Sequence, residues 1–216
     1  MIKAILFDFD GTLVDTNELI IQSFMEVLGE KFPGQFTRND CIQLIGPSLR
    51  QTFERLTPND VEGMITKYRS HNESHYDELV KEYDGVVETL HELHAMGIRL
   101  VIVSSKTHDN IVRGLHKLGV AQLFEYVIGA DDVTHVKPHP EPIEKALQYL
   151  QLSKEEVIMV GDNSHDIEGG QNAGVKTAGV SWTIRGVEFL QKYNPDYMLA
   201  KMSDIITIVR EINEEN

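Results

Sequence analysis

Short apolar runs recur along this chain, each stopping at small or polar residues and each followed by a stretch of helical period. The runs are residues 2–9, 99–104, 126–128, 157–161 and 176–180; the amphipathic stretches lie at 86–96, 109–118, 140–150, 167–173 and 203–212. A compact apolar run bounded by turn residues is what a strand buried on both faces requires, and a strand–helix–strand rhythm closes as βαβ units. The predicted fold class is therefore α/β, a Rossmannoid parallel sheet with helices on both faces. Gly97, Gly119 and Gly174 fall where helices should hand the chain to the next strand.

Residues 16–84 break the rhythm. They contain no convincing strand and read as several helices, 16–28 and 61–80 among them, with breaks at Pro33-Gly34, Gly46-Pro47 and Thr57-Pro58. The expected organisation is an α/β core built from 1–15 and 85–216, with an all-helical insertion at 16–84 that reads as a lid. Residues 211–216 read as a frayed acidic end. The sequence shows no internal repeat and no low-complexity segment.

In a parallel sheet, ligands bind beyond the carboxyl ends of the strands, so the residues that end each apolar run carry the functional argument. The first run ends in Asp8-Phe9-Asp10-Gly11-Thr12. Two carboxylates that close need a cation or a shared proton, although Asp-Gly is also a common turn pair and both aspartates fit simple capping. The second run ends at Ser104, followed by Ser105 and Lys106. Lys137 stands in Lys137-Pro138-His139-Pro140, where two prolines fix the backbone beside it. Gly161-Asp162-Asn163-Ser164-His165-Asp166 places two carboxylates in a loop before a helix. Those oxygens suit Mg²⁺, and Asp166 equally suits a helix cap. Each piece alone has an ordinary structural explanation; the four in this order, at or near successive strand ends, do not.

The ordered set Asp8/Asp10, Ser104, Lys137 and Asp162/Asp166 resembles the four motifs of the haloacid dehalogenase (HAD) superfamily, and the resemblance spans the whole chain, with a helical cap of the C1 type after the first motif. It implies a HAD-like core, Mg²⁺ as cofactor and an aspartyl-phosphate mechanism. Asp8 is then the nucleophile and Asp10 the general acid and base. Asp8, Asp162 and the Asp10 backbone carbonyl hold the metal, and Asp166 stands behind them, orienting a metal-bound water or Lys137. Ser104 and Lys137 hold phosphoryl oxygens, and Thr12 positions the nucleophile loop. Ser105 stands where the superfamily often has Asn, and its backbone N–H remains available. The dehalogenase branch lacks the carboxylate at the Asp10 position, so the resemblance favours phosphoryl transfer. Segments 16–21, 45–49, 161–166, 182–186 and 195–204 are further similar to bacterial pyrophosphatases of the superfamily. Phosphoglycolate phosphatases and β-phosphoglucomutase-like mutases share the motifs as alternatives, and a non-catalytic binding protein on the same scaffold is the remaining one.

Charge and composition bound the partners. A net charge of −14 over 216 residues argues against nucleic-acid and anionic-membrane surfaces, and no apolar run approaches the roughly 20 residues of a membrane span. A phosphate substrate must then find its positive potential locally, from a metal and a few placed cations. Lys106, Ser105, Thr12 and Gly46 are the expected substrate contacts; Arg50 and Arg185 are further candidates that singly read as solvated surface residues. The single cysteine, Cys41, excludes an intramolecular disulfide and suits a reducing cytosol; an immediate first strand leaves no room for a signal peptide. The expectation is a cytoplasmic protein, and the sequence leaves the oligomeric state open. His71/His75 and His91/His94 have metal-clamp spacing but no third ligand in sequence and read as exposed helix residues, whereas His139 and His165 lie inside motif loops.

Overall fold

A computed structural model describes residues 1–214 of the chain. Strand β1 (Ala4–Phe7) runs into a tight loop and the two-residue β2 (Val14–Asp15), after which four helices follow: α1 (Asn17–Lys31), α2 (Arg38–Ile42), α3 (Leu49–Leu56) and α4 (Val61–Leu79). Strand β3 (Lys81–Glu82) brings the chain back, and the alternation resumes with α5 (Val86–Ala95), β4 (Arg99–Val103), α6 (His108–Lys117), β5 (Phe124–Ile128), α7 (Glu141–Leu150), β6 (Val157–Gly161), α8 (Ser164–Ala173) and β7 (Lys176–Val180). Helix α9 (Val187–Gln191), β8 (Tyr197–Leu199) and α10 (Asp204–Glu214) complete it. The helices before β4, β5-side Val120 and β7 end at Gly97, Gly119 and Gly174, all with positive φ.

The six-stranded sheet has the order β5-β4-β1-β6-β7-β8 and every pairing in it is parallel. Period two sends alternate side chains to opposite faces, and each face finds its own cover. Ile5, Phe7, Leu100 and Ile102 pack in one apolar layer with Leu90 of α5, Leu115 of α6 and Ile205 of α10. Ala4, Leu6, Val101 and Val103 pack in the other with Ile143, Ala146 and Leu150 of α7. Helices α1, α3 and α4 enclose a third cluster, which includes Phe24, Phe53, Met64 and Tyr68.

The chain leaves β1 for neighbours on both sides: β4 and β5 extend the sheet one way, β6, β7 and β8 the other. Strand order therefore reverses at β1, the position where an open α/β sheet offers a crevice for ligands.

Three sequence expectations need correction. Residues 16–84 do contain a strand, β3, which pairs antiparallel with β2 through Val14↔Glu82 and Asp15↔Lys81. Two residues are too short to show a periodicity, which is why it escapes a pattern reading. The acidic end is not frayed as far as it is described: α10 continues to Glu214, and Asn213 ties it down by accepting from Ile2 N–H and donating to Ile2 O. The last two residues of that expectation lie outside the described part. His71 and His75, expected to be exposed, are half-buried with stacked rings 4.2 Å apart, and His71 Nδ1 lies 3.1 Å from Ser23 Oγ between α1 and α4. His91 and His94 are exposed as expected. No described helix is long and apolar enough to cross a membrane.

Candidate active site

The three central strands deliver their terminal residues side by side. Asp8 N–H donates to Val160 O (2.9 Å), extending the β1–β6 ladder one step past β1, and Ser104 N–H donates to Ile128 O (3.0 Å), doing the same beyond β4. Asp8 and Ser104 are thus placed by backbone pairing, the most rigid support a sheet provides. Asp162 follows directly after β6. The chain passes close to Asp162 at Gly11, whose φ is +78°; a Cβ there would lie 2.3 Å from Asp162 Oδ2, so only glycine permits the approach.

Lys137 is almost wholly buried, and its ammonium faces three acceptors. It donates to Val103 O and Asp166 Oδ1, both at 2.6 Å, and forms an ion pair with Asp8 Oδ1 at 3.2 Å. Asp166 Oδ2 accepts the N–H of Asn163 (2.9 Å), so Asp166 is both the first-turn carboxylate of α8 and the anchor of Lys137. The structure shows the cap, one of the two readings open for Asp166 in the sequence, and the other oxygen of the same carboxylate holds Lys137.

Carboxylate oxygens of Asp8, Asp162 and Asp166 lie within 4.8 Å of one another, all buried. Such crowding has an electrostatic cost that the site displays. Burial, then the charges of Asp166 and Asp10, push the Asp8 carboxyl up to about 6 against the pull of Lys137. Burial and the neighbouring Asp166 and Asp8 hold Asp162 well above the usual carboxylate range. Burial works against the Lys137 ammonium, but Asp166 and Asp8 more than offset it and its pKa is raised. Four carboxylates (Asp8, Asp10, Asp162, Asp166) face two ammoniums (Lys106, Lys137), an excess of two negative charges. Asp8 Oδ1 is buried against the Lys137 ammonium at 3.2 Å. Three buried carboxyl groups whose oxygens lie within 4.8 Å of one another are an all-oxygen donor set that fits a hard divalent cation.

Asp10 sits two residues on, bridged to Val14 and less buried than Asp8. Both its oxygens accept from Lys106 Nζ, at 2.9 and 3.0 Å. Lys106 is therefore neither free nor solvated, and it lines the same cleft as Ser105. Thr12 is fully buried, and its hydroxyl has no hydrogen-bond partner among the described residues.

The cleft encloses about 990 Å³ between this carboxyl edge and α1, α3 and α4. The loop before α3 descends onto the loop between β6 and α8: Asn163 Nδ2 donates to Ile45 O at 3.1 Å, wholly buried. Gly46 has φ +123°, and a Cβ on it would come within 2.8–2.9 Å of the Asn163 amide. Gly46 is thus a contact point between the helical segment and the sheet. Asn163, which the sequence reading did not single out, is its partner. Tyr68 is also absent from that reading. It is buried beside the cleft, its phenol held far above the usual range by burial and then by the Asp10 charge. Arg50 lies on the rim, exposed and paired with Glu62 at 2.5 Å, as a solvated residue would be. Arg185 instead stacks on Phe189 (4.0 Å) and donates to Gln43 of the helical segment. His165 is largely buried in the cleft wall, 3.1 Å from Asn163 Oδ1, and burial lowers its pKa.

Comparison with known proteins bears on this geometry. The sequence model of the haloacid dehalogenase-like hydrolase family matches residues 5–180. Pyrophosphatase PpaX of Bacillus cereus (strain G9842) is 50% identical over 212 residues, covering 98% of each chain. Among solved structures, a haloacid dehalogenase-like hydrolase from Bacteroides fragilis superposes with a TM-score of 0.88 at 28% identity, covering 95% of this chain and 100% of the other. A hydrolase of the same family from Streptococcus pneumoniae reaches 0.84 at 25% identity over 96% and 98%. With the aspartates, serine and lysine of the four motifs converging at the point where strand order reverses, this chain belongs to the haloacid dehalogenase-like hydrolase family.

Proposed function

We propose that this hydrolase cleaves inorganic pyrophosphate to phosphate by nucleophilic attack of Asp8 on phosphorus, with Mg²⁺ as its cofactor. The carrying observation is Asp8 itself: a carboxylate fixed by the β1–β6 ladder, facing Lys137, with Asp10 and Asp162 beside it. The preference for pyrophosphate rests on 50% identity to a pyrophosphatase across nearly the full length.

Asp8 and Asp162, with the Asp10 backbone carbonyl, would hold Mg²⁺, which supplies charge neutralisation to the phosphoryl oxygens. One carboxylate oxygen of Asp8 forms a bond to phosphorus as the bond to the leaving oxygen breaks. Asp10, carrying the proton it takes from water at the end of the preceding turnover, gives it to that leaving oxygen, and the first phosphate departs. Asp10, now ionised, takes a proton from a water whose oxygen attacks the Asp8 phosphoryl group; the Asp8 oxygen–phosphorus bond breaks, phosphate leaves and the carboxylate is restored. Lys137 and Ser104 stabilise the charge on the non-bridging oxygens from positions already fixed by the fold. Lys106 holds both Asp10 oxygens and lies at the cleft surface, where an incoming anion meets it. Residues 16–84 act as a cap over the core formed by 1–15 and 85–216, and its closure excludes water and strengthens each charged contact. The substrate is a small phosphate compound, with no nucleic acid or membrane involved. The buried free thiol of Cys41 accords with a cytoplasmic location.

A phosphate-release screen tests the substrate. Pyrophosphate should show a kcat/KM well above 2-phosphoglycolate, acetyl phosphate and hexose phosphates, a comparison worth making because the cleft has room for larger molecules. A clear preference for 2-phosphoglycolate would move the enzyme to that specificity and leave the Asp8 chemistry intact. Asp10→Asn should cost on the order of 10²–10⁴ in kcat, the usual worth of a general acid/base, while magnesium affinity measured by calorimetry changes little because the backbone carbonyl survives.

Metal removal gives a pH-dependent result. EDTA should silence the enzyme, Mg²⁺ restore it and Ca²⁺ inhibit, since Ca²⁺ takes looser, larger coordination. Asp8 is raised from 3.8 to about 6, so the folded protein favours its protonated form and the metal-free fold loses stability as pH rises from about 4 through 6. Mg²⁺ pairs with the ionised carboxylates and relieves that loss. Its effect on the thermal midpoint should therefore be larger at about pH 7.5 than at about pH 5. An equal shift at both, or full activity in chelator, would contradict the metal assignment.

A further inference from the structure

The loop that carries Lys137 holds a second set of donors: His135-Val136-Lys137-Pro138-His139-Pro140-Glu141. Donor atoms of His135, His139 and Glu141 lie within 4.8 Å of one another. Glu141 opens α7, and its carboxylate is held by the N–H groups of Thr134 (2.7 Å) and His135 (2.9 Å). The same carboxylate lies 2.8 Å from His135 Nδ1. A divalent ion that displaced the proton shared in this contact would take His135 Nδ1 and the Glu141 carboxylate together as ligands. The His139 ring stacks on His135 at 4.5 Å, and its Nδ1 lone pair accepts only a long 3.2 Å bond from Glu141 N–H.

We propose that His135, His139 and Glu141 form a binding site for a divalent transition-metal ion of the zinc class, separate from the all-carboxylate site at Asp8. Imidazole nitrogens with one carboxylate select such ions over Mg²⁺, which prefers oxygen donors. The Glu141 carboxylate is already positioned by two backbone N–H groups, so little is lost in presenting it to an ion. Both histidines are exposed and border the cleft, which leaves coordination positions open to water or an anion. The intervening Lys137 does not compete, because its ammonium is buried against Asp166 and Asp8. The half-buried pair His71/His75 has the same spacing and a similar ring stack of 4.2 Å, but its Nδ1 atoms face Ser23 Oγ and His71 O, with no carboxylate. It is an internal control.

Zn²⁺ is titrated calorimetrically into the full-length, magnesium-saturated enzyme, and Co²⁺ is followed by its visible spectrum. One Zn²⁺ should bind per chain, and Co²⁺ should show bands of low-symmetry nitrogen–oxygen coordination. His135→Gln/His139→Gln should weaken binding by about 100-fold or more and abolish those bands, while His71→Gln/His75→Gln should bind as wild type does. Circular dichroism checks that both variants fold. No zinc uptake by the magnesium-saturated wild type, or equal uptake by the His135/His139 variant, would overturn the site. The readout is binding and not turnover, so failure here leaves the phosphohydrolase reading standing, and failure of that reading leaves this site standing.

Discussion

Asp8→Asn is expected to reduce turnover by at least on the order of 10⁴ while circular dichroism stays that of the wild type. The amide is close to isosteric with the carboxylate, and the Asp8 N–H keeps its bond to Val160 O, so the loop has no reason to move. What disappears is the oxygen nucleophile, without which the two-step route is closed. The substitution relieves repulsion against Asp166 and Asp10 but also removes one partner of Lys137, so the metal-free variant should unfold at a denaturant concentration close to that of the wild type. Turnover within tenfold of wild type at saturating Mg²⁺ would refute Asp8 as the nucleophile.

Lys137→Met has an effect of comparable size on a different axis. Lys137 is the one buried lysine or arginine among the described residues, and it is the charge that makes the Asp8–Asp166 pair tolerable. Methionine replaces its methylenes but not its ammonium. Breaking a buried pair by removing one partner costs about 3–5 kcal/mol, and urea unfolding of the metal-free variant should show a loss of that order. Mg²⁺ should return part of it. Turnover should fall on the order of 10²–10³ as well, the typical cost of one preorganised charge at the reacting oxygens. An unchanged urea midpoint would mean that Lys137 does not compensate these aspartates.

Much of this architecture is legible in the sequence because it is periodic or ordered. Strands β1, β4, β6 and β7 are compact apolar runs, and Asp8, Ser104 and Asp162 follow at their ends, so one rule about carboxyl edges collects them. Strands β2, β3 and β8 have two or three residues, too few for any period, and the pattern does not show them. Contacts between distant polar side chains are also hidden from the sequence. Lys106 reaches Asp10 across 96 positions, and Asn163 reaches Ile45 across 118. No local spacing encodes such pairs; they exist only once the sheet has brought β1, β4 and β6 together and the helical segment has folded over them. The three-donor group of the Lys137 loop is an intermediate case. His139 stood out by lying inside a motif, but its partnership with His135 and Glu141 depends on the turn into α7, which the spacing alone does not specify.

The most direct measurement is chemical trapping of the phosphorylated enzyme. Wild-type protein turning over pyrophosphate in Mg²⁺ is quenched in acid and reduced with borohydride, which converts an aspartyl-phosphate to homoserine, and its peptides are mapped by mass spectrometry. Reduction should appear at Asp8, depend on both substrate and Mg²⁺, and be absent in Asp8→Asn. Reduction at another carboxylate such as Asp162, or none at all while phosphate is released at the full rate, would contradict attack by Asp8.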